Sequence, residues 1–104
     1  MKFFVNQIIV SETIGNFSSE NEQQRFLSDF RIAKSNLPFS AAYPAGKAHL
    51  AYRNAGGSKL RILPEFLIGA HALVEDLTLM TRDPKVYRAY FPDLNIISPE
   101  THPL

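Results

Sequence analysis

The chain has 104 residues, 45% of them hydrophobic and 20% charged, with a formal net charge of +1. This length suits one domain burying roughly 65% of its unfolded surface, and no apolar run reaches the ~18 residues of a membrane span. The near-neutral charge argues against a bulk polyanion binder, and the absence of cysteine excludes disulfides and thiolate metal sites.

The N-terminal segment combines one lysine with a short apolar stretch, interrupted by Asn6 and Gln7 and followed by no small-residue cleavage site. We therefore predict no export signal, and a chain without cysteine fits a cytoplasmic location. Asn6 can cap a helix that runs to about Phe17, although residues 8–10 would suit a strand equally well.

A capping box and a second cap predict the next two helices. Ser19 and Glu22 open the first, whose apolar face carries Phe26, Phe30 and Ala33. Ser40 is the predicted cap of the second, over 41–54, and glycines 56 and 57 end it. Alanines at positions 41, 45, 48 and 55 form a lane of small residues, which predicts close helix packing.

The C-terminal part predicts a strand, helix and strand after a buried helix. Residues 64–74 are almost all apolar and begin with proline, which favours a helix buried on most sides. A strand follows at 77–80, and Asp83 caps a short helix that begins with Pro84. A last strand at 94–98 should pair with the first in parallel, since a helix connects them.

These elements predict a single α/β domain over 1–98 and a flexible tail over 99–104. Two strands alone make a marginal sheet. The partner strand is therefore either around residues 3–5 or missing from this polypeptide.

Three carboxylates are candidates for a shared acidic site. Glu65 lies in the first turn of the apolar helix, and Asp83 follows a strand, at the end where open α/β sheets bind ligands. Glu12 lies within an apolar run. Because clustered carboxylates repel one another without a cation, their convergence suggests a hard metal ion such as Mg²⁺ or Mn²⁺.

Each of these residues also has a plainer interpretation. Glu65 can simply favour the helix dipole, Asp83 can be only an N-cap, and Glu12 can face water. Thr81 and Arg82 either hold phosphate or merely end a strand. His71 is better explained as a hydrogen-bonded, half-buried side chain than as a metal ligand.

Five basic residues lie in the same part of the chain. They form either a basic rim around an acidic pocket or ordinary solvated surface charge. The five are Lys59, Arg61, Arg82, Lys85 and Arg88.

Residues 63–98 resemble the C-terminal half of PIN-domain ribonucleases, most closely the VapC-type toxins of toxin-antitoxin pairs. The run Pro-Glu-Phe-Leu-Ile-Gly-Ala-His-Ala at 64–72 is similar to the family's helix with a metal-binding acid, where Glu65 replaces the usual aspartate. Met-Thr-Arg-Asp at 80–83 matches a strand end whose aspartate is another site acid. The apolar segment leading to Glu12 looks like the family's second helix.

The resemblance implies a PIN-like fold with helices around a small parallel sheet, and an endoribonuclease that hydrolyses RNA with Mg²⁺ or Mn²⁺. It assigns catalysis and metal binding to Glu12, Glu65 and Asp83, and substrate binding to Thr81 and Arg82. It also implies an antitoxin and a second copy of the chain as partners.

The family's N-terminal strand with its Asp-Thr-Asn-like motif has no counterpart, because no aspartate precedes Asp29. This departure predicts impaired metal binding and catalysis. The alternative is a non-catalytic PIN remnant that binds an antitoxin or dimerises, with an open sheet edge inviting strand addition.

Overall fold

A computed structural model describes residues 2–99, which form two compact units, one ending at Leu37 and one beginning at Pro38. Each unit contains two strands joined in parallel by a helical connection. The α/β class with small parallel sheets is confirmed at this level. The single domain over 1–98 stays a prediction, and residues 100–104 of the predicted tail lie outside the described residues.

The strands are short and the helices are of moderate length. The strands are β1 (Phe4–Val5), β2 (Ala33–Lys34), β3 (Leu79–Met80) and β4 (Ile96–Ile97). The helices are α1 (Gln7–Glu12), α2 (Glu20–Asp29), α3 (Ala42–Asn54), α4 (Pro64–Val74) and α5 (Lys85–Tyr90). None of these helices in the described part of the chain is long and apolar enough to cross a membrane.

The caps of the first unit follow the sequence prediction. Asn6 accepts a hydrogen bond from the Ile9 N–H at 3.0 Å, which fixes the start of α1 as a helix rather than a strand. The α-helix ends at Glu12, and a 3₁₀ turn at Ile14–Asn16 completes the predicted length. Ser19 caps α2 by accepting from the Glu22 N–H at 3.1 Å.

Three helices end in the same way, with one residue in the left-handed region. Gly56 has φ 97° after α3, while Arg31 and Asp76 have φ 54° after α2 and α4. After α2 the Ile32 N–H donates to Leu27 at 2.8 Å, and after α4 the Leu77 N–H reaches Ala72 at the same distance. These bonds are those of the Schellman motif, which satisfies the last helical carbonyls.

Two local predictions are wrong, one at the end of α2 and one at the start of α3. Ala33, expected on the apolar face of α2, lies in β2, since α2 ends at Asp29. Ser40 lies inside a 3₁₀ turn over Phe39–Ala41, so the N-cap of α3 is Ala41, which makes no side-chain cap bond.

The core of the second unit forms where α3 packs on α4. Ala41, Ala45 and Ala48 are buried, so the predicted lane of small residues lets the two helices approach closely, although Ala55 is exposed. Phe66 of α4 is fully buried and contacts four aromatic rings. Their centroids lie 5.3–6.4 Å from that of Phe66, and they belong to His49, Tyr52, Tyr90 and Phe91.

The predicted strand, helix and strand at the C-terminus are confirmed. β3 pairs with β4 in parallel, with Leu79 opposite Ile96 and Met80 opposite Ile97. The strand considered around residues 3–5 also forms, as β1. It pairs with β2 and not with β3 or β4, with Phe4 opposite Ala33. Each sheet therefore has two strands, and each is completed by its own crossover.

Candidate functional site

Glu65 lies in the first turn of α4, as predicted. The chain enters α4 from Leu63 in an extended conformation, and Pro64 occupies the first helical turn, where its missing N–H costs nothing. No side chain caps this helix end. Glu65 is half-buried, so its carboxylate combines a favourable helix-dipole position with access to solvent.

Asp83 follows β3 but is not the predicted N-cap. Pro84, with φ −78° and ψ −10°, stands at the cap position of α5, and no side chain caps the helix. The Asp83 N–H instead donates to the Thr81 hydroxyl at 3.1 Å. The capping prediction is therefore wrong, and capping does not occupy the exposed Asp83 carboxylate.

Thr81 and Arg82 complete this loop. The Thr81 N–H donates to the Ile97 carbonyl at 3.0 Å, which continues the pairing of β3 with β4 by one residue. The Thr81 hydroxyl then holds the backbone of Asp83. Arg82, between them, is exposed. The loop thus presents a guanidinium and a carboxylate on a backbone anchored to the sheet.

Glu12 is the last residue of α1, in the first unit, and is exposed. Glu65 and Asp83 belong to the second unit. Among the described residues of either unit, no group of three or more acidic or histidine side chains is close enough to hold a metal. The convergence of the three carboxylates stays a prediction, while their oxygen donors suit Mg²⁺ or Mn²⁺.

The five basic residues near the acids are all exposed. Lys59 and Arg61 precede α4, Arg82 lies in the loop after β3, and Lys85 and Arg88 are in α5. Their exposure is compatible with both interpretations of this group, the basic rim and ordinary surface charge.

The backbone of residues 57–60 is held by three polar side chains of α3. Tyr52 accepts from the Lys59 N–H at 3.1 Å, His49 Nε2 lies 3.2 Å from the Leu60 carbonyl, and Arg53 donates to the Gly57 carbonyl at 3.0 Å. The Lys59 N–H lowers the pKa of Tyr52, with burial acting in the opposite direction. Nδ1 of His49 is buried without a hydrogen-bond partner among the described residues.

His71 is buried in α4, more deeply than the predicted half-buried position, and its interpretation as a structural histidine stays a prediction. Burial lowers the pKa of His71 below its usual value, and the Glu75 carboxylate one turn further on partly opposes this shift.

The lowered pKa of His71 predicts a loss of stability in acid. The unfolded chain takes up the proton first as the pH falls, so this part of the stability is complete at about pH 7.5 and above and is lost as the pH falls through about 6.5. We expect the free energy of unfolding, measured in urea, to fall as the pH drops below about 7.5, and His71→Gln to reduce that fall. Glu75→Gln should steepen it. An unchanged pH dependence in His71→Gln would contradict this assignment.

A separate apolar groove lies within the first unit, between α1 and α2. Its volume is about 670 Å³, and its walls include Val5, Ile9, Phe17, Phe26 and Phe30. The last three form an aromatic ladder, with ring centroids 5.4 Å apart for Phe17 and Phe26 and 4.6 Å apart for Phe26 and Phe30. Phe30 is 64% exposed. Exposed apolar surface of this kind is typical of interaction sites.

Sequence reasoning missed both the held backbone of residues 57–60 and the apolar groove. His49 and Tyr52 act on backbone groups of residues 59 and 60, so no spacing of residue types marks them. Phe30, the C-cap residue of α2, is one of the residues that line the groove. The predicted apolar face carrying Phe26 and Phe30 was the available signal.

Comparison with known proteins supports the fold. No family model matches the sequence, and no curated protein matches it. The structure is similar to a chain of "VapBC2 from Rickettsia felis bound to a DNA fragment from their promoter", with a TM-score of 0.68. The two are 19% identical, and the match covers 93% of this chain and 74% of the other. The chain therefore shares its fold with that chain of the VapBC2 structure.

Proposed function

We propose that this chain is a PIN-like domain of the VapC type and acts as a metal-dependent endoribonuclease. The observation that carries the proposal is the placement of two carboxylates, Glu65 and Asp83, at the entry to α4 and before α5 in a VapBC-related fold. The proposed reaction is hydrolysis of RNA phosphodiester bonds.

Each residue has a proposed role. Glu12, Glu65 and Asp83 would hold Mg²⁺ or Mn²⁺, which when bound compensates charge on the phosphate and makes a water molecule more acidic. Thr81 fixes the backbone at Asp83 through its hydroxyl, so the carboxylate starts from a defined position. Arg82 would bind a phosphate oxygen of the substrate, because a guanidinium pairs well with phosphate.

An antitoxin and a second copy of the chain are the proposed partners. The second copy is supported by large apolar side chains exposed along one stretch of chain before and within α3. These are Phe39, which is 95% exposed, and then Tyr43 and Leu50. Tyr43 and Leu50 are two turns apart and share a helix face.

The second candidate function is a non-catalytic module that binds a partner protein. The groove between α1 and α2 favours it, since an aromatic ladder lines an exposed apolar surface to which a partner segment could bind. The two-stranded sheets also leave backbone groups at their edges for strand addition.

Calorimetric titration with Mn²⁺ separates the two functions. We expect wild type to bind Mn²⁺ and Asp83→Asn to lose about tenfold or more in affinity, since a neutral amide replaces a charged ligand. Asp93→Asn, which alters another exposed carboxylate of the same unit, is the matched control and should bind as wild type does. Absence of binding to wild type would reject the ribonuclease and leave the binding module.

A further inference from the structure

Residues 58–62, called here the basic segment, run from the end of α3 towards Glu65 without helix or strand structure. Lys59 and Arg61 alternate with Leu60 and Ile62, and all four side chains are exposed. Such a segment would ordinarily be a mobile loop. Its backbone contacts indicate that this one is held.

Two side chains of α3 reach adjacent backbone groups of the segment. Tyr52 bonds the N–H of Lys59, and His49 bonds the carbonyl of Leu60. His49 is itself buried, and both rings pack on the fully buried Phe66. The segment is therefore fastened to the core at its centre, with its side chains directed by a fixed backbone.

We propose that the basic segment binds the phosphate backbone of single-stranded RNA through Lys59 and Arg61, with His49 and Tyr52 as positioning residues. The proposal rests on the proposed ribonuclease function, because it adds a substrate contact to that site. Only Leu63 and Pro64 separate the basic segment from Glu65 in the sequence. An RNA strand bound by Arg61 would therefore run close to the Glu65 carboxylate.

Two physical arguments favour RNA as the occupant. Two exposed cationic side chains, two residues apart on a held backbone, suit the regular charges of a nucleic-acid strand. Fixing the backbone in advance also removes part of the ordering cost that binding would otherwise carry. The guanidinium of Arg61 can pair with two phosphate oxygens at once.

The test measures RNA binding without cleavage, by fluorescence anisotropy of a labelled unstructured RNA in EDTA. We expect the double variant Lys59→Ala/Arg61→Ala to bind about tenfold or more weakly at about 50 mM salt, and the slope of log affinity against log salt to flatten by about 1.4. Lys47→Ala, which removes an exposed cation from α3, is the matched control. Its slope of log affinity against log salt should change by less than half as much as that of the double variant.

Tyr52→Phe tests the positioning role, because it removes the hydroxyl and keeps the ring. We expect affinity to fall about three- to tenfold with an unchanged salt slope. Amide exchange at Lys59 should become faster, while the melting temperature stays close to that of wild type. Unchanged affinity in Tyr52→Phe would overturn the positioning role.

The outcomes distinguish this inference from the proposed function. Wild type that binds no RNA in EDTA, or that binds it no better than the double variant does, overturns this inference alone. The ribonuclease function is decided separately, by the Mn²⁺ titration. Displacement of the RNA by poly-glutamate at equal charge concentration, dependent on the same two residues, would identify an acidic protein surface as the occupant and overturn the RNA assignment.

Discussion

Phe66→Ala is expected to destabilise the protein by about 3–5 kcal/mol, the cost of removing a large buried aromatic side chain. Phe66 is fully buried and its ring contacts aromatic rings from α3 and from the end of α5. Its loss leaves a cavity at the point where these elements meet on α4. Urea denaturation followed by circular dichroism measures the change.

Leu73→Ala is the matched control for Phe66→Ala, since it truncates an apolar side chain of the same helix that is 37% exposed. We expect it to cost about 1 kcal/mol or less. Phe66→Leu should fall between the two and keeps the measurement possible if the alanine variant does not fold. Equal costs for Leu73→Ala and Phe66→Ala would show that Phe66 is not the centre of the core.

Gly69→Ala should destabilise the protein by about 1–2 kcal/mol, although alanine is the better helix former. A Cβ atom on Gly69 would lie 2.6 Å from Cε2 and 2.7 Å from Cδ2 of Phe91. The Phe91 ring is buried, so it cannot move aside without disturbing its neighbours. The measurement is again the free energy of unfolding in urea.

Gly46→Ala provides the control of opposite sign. Gly46 lies inside α3, and a Cβ atom there would meet nothing within 4 Å. We therefore expect a gain of about 0.5–1 kcal/mol, which is the intrinsic preference for alanine. Stabilisation by Gly69→Ala as well would mean that the Phe91 ring does not fill the space beside α4.

The sequence predicted elements well where composition marks both ends. Helix α4 has the predicted bounds because Pro64 opens it and the polar residues Glu75 and Asp76 follow it. The end of α2 was mispredicted because Arg31, not glycine, adopts the left-handed conformation there. Strand β2 was missed because two residues are too few to show an alternating pattern.

The candidate site was predictable only one residue at a time. Local sequence placed Glu65 in a first helical turn and Asp83 after a strand, and both positions hold. Which carboxylates come together depends on packing between distant segments, which composition and spacing do not encode. The contacts of His49 and Tyr52 were also not predicted, because their partners are backbone atoms, which residue types and spacing do not mark.

The shared ending of α2 and α4 makes the spacing between helix and strand intolerant of insertions. In both cases one left-handed residue is followed directly by an apolar residue that bonds back to the helix, Ile32 after α2 and Leu77 after α4. One extra residue at either turn would invert the alternation of side chains in the strand that follows. Natural length variation in this chain should therefore concentrate away from these two turns.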